Sequence, residues 1–315
     1  MAGMVSVIGV PSSAGSYAAG QDQAPGALRA AGLFAALAAA GVDARDAGDL
    51  PEQVWAPDRA NRRAQNSEQV VASLTGLTDR VAELLAEGSQ VLVLGGNCTV
   101  ALGAMAGMRR VGWQRTGLLY VDRHFDLNTP ESTIDGALDW MGLAHGLDLD
   151  GCVDALAGAF GPRPLLQPGQ IAFLGTDPER STEWERARLA ELDLAVTAQA
   201  DLLADPAAAA STALRALPNG PLTVHVDVDV LDFTDAPLAE NTDGRNIGPT
   251  LDQLGAALAV AVADPRWRVL TIGELNPTRA AGDPDAIPRF VGLLASSLAG
   301  AARPAGTGAR GPGGA

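Results

Sequence analysis

The chain has 315 residues, 47% of them apolar, which is long enough for one large α/β core and short for two complete domains. Its 37 acidic residues against 22 basic ones give a formal net charge of -15, which argues against a nucleic-acid or anionic-membrane partner, because phosphate binding needs clustered Lys and Arg. No run approaches the ~18 apolar residues of a membrane span, Met1 to Val10 lacks a secretion signal, and two cysteines make no disulfide framework, so reduced thiols and a cytoplasmic location are expected.

In chain order, Met4 to Val10 reads as a first strand, Pro11 to Ala24 as a loop rich in Gly, Ser and Gln, and Pro25 to Ala40 as a helix periodic in Leu and Ala. Ser67 to Glu87 is amphipathic at helical spacing and leads into a strand over Val91 to Leu94. Further strands are expected at Leu118 to Val121, Ile171 to Leu174, Leu192 to Val196, Leu222 to Val230 and Val269 to Ile272, with helical stretches such as Ala207 to Ala216 between them. This alternation predicts an α/β fold with a mostly parallel sheet covered by helices on both sides. Residues 1–300 read as a single domain. From Ala301 to Ala315 the composition is Gly, Pro, Ala and Arg with almost nothing to bury, and a disordered tail is expected.

Three apolar runs end in matched polar clusters: Gly95-Gly96-Asn97-Cys98, Asp122-Arg123-His124-Phe125-Asp126, and Asp227-Val228-Asp229-Val230-Leu231-Asp232. Open parallel sheets build their sites at such carboxyl ends. If the chain stays extended, Asp227 and Asp229 share a face, as do Asp122, His124 and Asp126. A single Asp-x-Asp at a strand end serves equally well as a solvated loop start or a helix cap. Two such motifs beside a Cys after Gly-Gly favour cations, because burying several carboxylates unpaired costs several kcal/mol per ion by order of magnitude. Five ligands are too many for one zinc, so two divalent ions are expected.

In these motifs the chain resembles the arginase/agmatinase family, the ureohydrolases, which carry Gly-Gly-Asp-His, Asp-Ala-His-x-Asp, Asp-x-Asp-x-x-Asp and Glu-x-Asn-Pro in this order. The last corresponds here to Glu274-Leu275-Asn276-Pro277, and Leu127-Asn128-Thr129-Pro130 and Leu28 to Leu33 also match family segments. The resemblance implies a three-layer αβα arginase-like fold with about eight mostly parallel strands. It implies that Cys98, Asp122, Asp126 and Asp227 hold one metal and Asp122, His124, Asp227 and Asp229 the other, with manganese as the family's usual ion. Asp126 would hold the attacking hydroxide, Glu274 the guanidinium, and Asn128 and Asp177 the amino-acid end of the substrate. A homo-oligomer, trimer or hexamer, is the family's common assembly.

Two positions depart from the family. Cys98 stands where a His is usual, a softer donor that shifts preference from manganese toward zinc, iron or cobalt. Asp139-Trp140 stands where arginases place a catalytic His; Asp139, His145 and His225 are the candidates for its proton, with a helix-packing role expected for His145 and a hydrogen bond to a metal ligand for His225. Both departures resemble the branch that hydrolyses N-omega-hydroxy-L-arginine to hydroxyurea, and Asn241, where many relatives have Thr, points to an altered pocket. The favoured substrate is therefore N-omega-hydroxy-L-arginine, with arginine, agmatine and guanidino acids as alternatives. A metal-poor pseudoenzyme or regulatory subunit is the rival from another class. A one-zinc deacetylase needs paired histidines near its ion, and the chain has only three histidines.

Overall fold

The computed structural model describes residues 3–242 and 246–301, so the expected tail lies, from residue 302 on, outside the described residues. The strands are β1 (Val5–Gly9), β2 (Ala44–Asp49), β3 (Gln90–Leu94), β4 (Gly117–Val121), β5 (Ile171–Thr176), β6 (Ala195–Ala198), β7 (Leu222–Asp227) and β8 (Trp267–Gly273). They form one eight-stranded sheet in the order β2-β1-β3-β8-β7-β4-β5-β6. Every pairing within it is parallel. The connecting helices are α1 (Ala24–Ala30), α2 (Leu33–Ala39), α3 (Ser67–Ala86), α4 (Val100–Arg110), α5 (Gly142–Leu147) and α6 (Asp154–Ala157), then α7 (Glu183–Leu192), α8 (Gln199–Ala204), α9 (Pro206–Ala216), α10 (Leu251–Ala263) and α11 (Ala286–Ala301).

Strand alternation divides the core into two layers. In β3, Leu92 and Leu94 pack with α1, α2, α10 and α11, while Val91 and Val93 pack with α3 and α4 on the opposite face. All four side chains are fully buried, as expected for strands covered on both sides. The result is the three-layer αβα architecture.

Two local expectations are corrected, and one strand was not expected. The helix expected over Pro25 to Ala40 is two, because Gly32 adopts φ 88°, which an α-helix cannot continue through. The strand expected at Leu192 to Val196 begins at Ala195, since α7 runs to Leu192 and Asp193 caps it at φ 50°. β2, with the sequence Ala-Arg-Asp-Ala-Gly-Asp, carries no apolar signal; it is a half-exposed edge strand that pairs with β1 in the sheet and is tied to α1 by Arg29 on Asp46 and Asp49.

Candidate metal centre

The four central neighbours β3, β8, β7 and β4 deliver the polar clusters from their carboxyl ends to one place. Beyond β3, Gly95 and Gly96 turn the chain at φ 80° and 82°, and a Cβ on Gly96 would sit 2.8 Å from Val100 Cγ1. That turn sets Cys98 just ahead of α4, where its N–H donates to Glu274 Oε1 at 3.0 Å. Beyond β4, Asp122 Oδ1 accepts the His124 N–H at 2.6 Å. Beyond β7 the chain does not stay extended. Val228–Val230 forms a 3-10 turn in which Asp227 Oδ1 accepts the Asp229 N–H at 2.7 Å, so the two aspartates converge through a turn and not through strand alternation. Asp126 and Glu274 both lie in the left-handed region, at φ 52° and 64°. For Glu274 this is strained backbone, held by its N–H donating to Gly96 O at 3.0 Å.

The side chains meet in two overlapping groups. The ligand atoms of Asp122, His124, Asp227 and Asp229 lie within 4.8 Å of one another, and so do those of Cys98, Asp122 and His225. Cys98 Sγ is 3.0 Å from Asp227 Oδ2 and 4.0 Å from Asp122 Oδ2, and His124 Nδ1 is 3.1 Å from Asp229 Oδ2. Burial and mutual repulsion push Asp126, Asp227 and Glu274 well above the usual carboxylate range, and Asp122 to about 6. The Cys98 thiol rises for the same reasons. Burial opposes charge on His124 and Asp229, yet the pair overcomes it: Asp229 raises the imidazole, which with Arg123 lowers Asp229. The cluster thus retains protons where divalent cations would compete, and the buried Asp229 Oδ1 has no hydrogen-bond partner. The donor set of carboxylates, imidazole and thiol fits two such ions.

A cavity of ≈ 230 Å³ opens onto this cluster, lined by Cys98, His124, Asp126, Asp227, Asp229 and Glu274. Its lining also includes Asp139, Asn241, Tyr17, Asp135 and Trp140. Asp126 accepts a short hydrogen bond from the Tyr120 hydroxyl, and Glu274 another from the Gln21 amide. Burial lifts Asp139 to about 7 despite the Trp140 N–H on its Oδ1 at 2.8 Å. Asn241 Nδ2 lies 3.5 Å from Asp229 Oδ2. Asn128 and Asp177 do not line the cavity: the Asn128 carbonyl accepts from Ser132 and Thr182, and Asp177 caps a 3-10 turn by accepting the Glu179 N–H. Buried His145 places Nδ1 2.7 Å from Met141 O and accepts the Val153 N–H at Nε2, matching the packing role expected for it. His225 departs from its expected hydrogen bond to a metal ligand, and pairs instead with Thr271 Oγ1 at 2.7 Å.

Sequence reasoning passed over Tyr17, Gln21, Tyr120 and Arg123. Arg123, where the resembling motif has Ala, is 1% exposed and donates to Leu231 O at 3.0 Å and Ile247 O at 2.6 Å, spanning the segment that carries Asn241. Its place inside the second ligand motif was the available signal.

A model of the arginase family matches residues 4–295. The chain is 28% identical to the arginase of Bacillus caldovelox over 278 residues, 86% of this chain and 83% of that one. It is 32% identical to human arginase-1 over 172 residues, 54% and 53% of the two chains. Among solved structures, arginase from Bacillus subtilis superposes with a TM-score of 0.80 at 26% identity, covering 94% of this chain and 98% of that one. Trypanosoma cruzi formiminoglutamase with Mn2+ shares the fold at a TM-score of 0.71 and 19% identity, over 95% and 94% of the chains.

Proposed function

The chain belongs to the arginase family of metal-dependent hydrolases acting on guanidino C–N bonds, and from that premise we propose a two-metal amidinohydrolase that takes N-omega-hydroxy-L-arginine as its favoured substrate. The observation that carries the reading is the convergence of Cys98, His124, Asp227 and Asp229, which line one acidic cavity, on the buried Asp122. Cys98, Asp122, Asp126 and Asp227 are assigned to one ion and Asp122, His124, Asp227 and Asp229 to the other. Manganese is the family's usual ion, and the Cys98 thiolate favours zinc, iron or cobalt. Two divalent ions bound there supply Lewis-acid polarisation and a water ionised near neutral pH.

The chain's own groups divide the remaining work. Glu274, fixed by the Cys98 N–H and the Gln21 amide, presents a carboxylate to the cationic guanidine. Asp126, oriented by Tyr120, accepts a hydrogen bond from the attacking oxygen. Attack on the guanidine carbon and cleavage of its bond to the alkyl-bearing nitrogen require a proton on the leaving amine. Asp139, lifted to about 7 and facing the cavity, is the group we assign to deliver it. Asn241, Asn128 and Asp177 are assigned to substrate binding, the last two through the resemblance alone, since neither lines the cavity. The products are ornithine and hydroxyurea, or urea from an unhydroxylated guanidine.

The support for a hydroxyguanidine is the pair of departures at Cys98 and Asp139. N-hydroxylation makes the guanidine less basic and the released fragment hydroxyurea, and we read the leaving step as using a different acid from the His of arginases, the Asp139 carboxyl raised to about 7. We also read the protein as a cytoplasmic homo-oligomer, trimer or hexamer, in keeping with the resemblance; no helix among the described residues is long and apolar enough to cross a membrane. The test is a panel of N-hydroxyarginine, arginine, agmatine and a guanidino acid, with manganese and with zinc, scored for hydroxyurea and urea. Hydroxyurea release at the highest kcat/KM supports the reading, and preference for another member reassigns the substrate. Fewer than one ion per chain with no turnover would establish the pseudoenzyme instead.

A further inference from the structure

The geometry points to His225 as a metal ligand of this chain, forming with Cys98 and Asp122 a set of imidazole, thiolate and carboxylate for one of the two ions. The inference rests on the two-metal reading above and goes beyond its ligand set. His225 lies in β7 two residues before Asp227, on the same strand face, and is fully buried. Its ring atom, Cys98 Sγ and an Asp122 carboxylate oxygen all lie within 4.8 Å of one another, a spacing that one ion at ordinary N, O and S distances can bridge.

Both ring nitrogens bear on the assignment. Nδ1 is 2.7 Å from Thr271 Oγ1, its register partner on β8, and donating to that hydroxyl fixes the tautomer whose Nε2 lone pair is free. Nε2 is buried and has no hydrogen-bond partner. Buried polar nitrogens are rarely left so, and a cation satisfies this one. Stacking on Tyr120, with centroids 4.6 Å apart, holds the ring plane. The space between imidazole and thiol exists because residue 273 is Gly: a Cβ there would lie 3.1 Å from His225 Cε1 and 3.4 Å from Cys98 Sγ.

This arrangement compensates for Cys98. An imidazole is absent from position 98, and β7, two strands away across β8, returns one to the same ion from position 225. Meanwhile Asp126 has one carboxylate oxygen engaged by Tyr120. A mixed N, S and O set favours zinc or cobalt over manganese.

X-ray absorption of the full-length chain loaded with zinc alone tests the assignment without mutation. Two imidazoles per pair of ions, from His124 and His225, are expected together with one sulfur. A single imidazole overturns the proposal. In parallel, His225→Ala is titrated with Co2+, following the thiolate-to-cobalt absorption of Cys98. The expected result is a loss of more than about 100-fold in affinity for the thiolate-bound ion, beyond what loss of an outer hydrogen bond causes, with the other ion retained. Unchanged affinity overturns it. A wild-type chain that binds no ion refutes the two-metal reading itself, whereas two ions with one imidazole refute only the role of His225.

Discussion

Asp122→Asn separates what the acidic cluster does for stability from what it does for metal, because the two respond in opposite directions. Burial, with repulsion from Asp229, raises the Asp122 carboxyl from 3.8 to about 6 even though His124 opposes the rise. At about 1.36 kcal/mol per unit, this amounts to about 3 kcal/mol. The folded state therefore keeps a proton that the unfolded state has released across this window, so stability falls as pH rises from 3.8 to about 6 and the full penalty applies above it. An amide mimics the protonated acid and still accepts the His124 N–H made at 2.6 Å. In chelator, urea denaturation followed by circular dichroism should find the variant equal to wild type near about pH 3.5 and up to about 3 kcal/mol more stable at about pH 7.5. With excess zinc or manganese the order reverses: wild type gains about 4 kcal/mol per ion at a thousandfold excess over Kd, and the variant has lost one of the two ligands, with Asp227, assigned to both ions. A variant less stable than wild type in chelator at neutral pH would refute the reasoning. Asp122 would then be a structural acceptor, and the cluster no cation site.

Arg123→Ala should raise KM by more than it lowers kcat, because it frees the segment carrying Asn241 from Leu231 O and Ile247 O. Metal content should persist, Arg123→Lys should rescue in part, and an unchanged KM in steady-state kinetics counts against a positioning role. His145→Gln should flatten the acid limb of the stability curve. Burial lowers the His145 pKa from 6.5 to about 4, so the unfolded chain takes up a proton first and stability is lost as pH falls across that interval. The difference is about 3 kcal/mol at 1.36 kcal/mol per unit, and parallel denaturation curves for the two proteins between those pH values would exclude His145 as the group responsible.

The parts of this site legible in the sequence are those whose chemistry is local. Asp122, His124 and Asp126 follow an apolar run within five residues, as do Asp227 and Asp229, and it is the repetition of such strand ends, beside a Cys after Gly-Gly, that points to cations. The order of the strands does not appear in any such run. That β8 lies between β3 and β7, bringing Glu274 to Cys98, depends on crossovers that the alternation of helix and strand leaves open. β2 stayed hidden because its pairing with β1 and the Arg29 ion pairs, with little apolar burial, hold it in the sheet. Side chains whose role comes from a partner far along the chain were equally invisible. Gln21 reaches Glu274 across 253 residues, and Arg123 reaches Ile247 across 124. His225 is the sharpest case, since period-two alternation placed it on the face of Asp227 but could not distinguish a hydrogen bond to a ligand from a ligand. Thr271 holds Nδ1 on one side and Gly273 leaves room beside Cε1 on the other, and both come from β8, a strand whose adjacency only the folded sheet supplies.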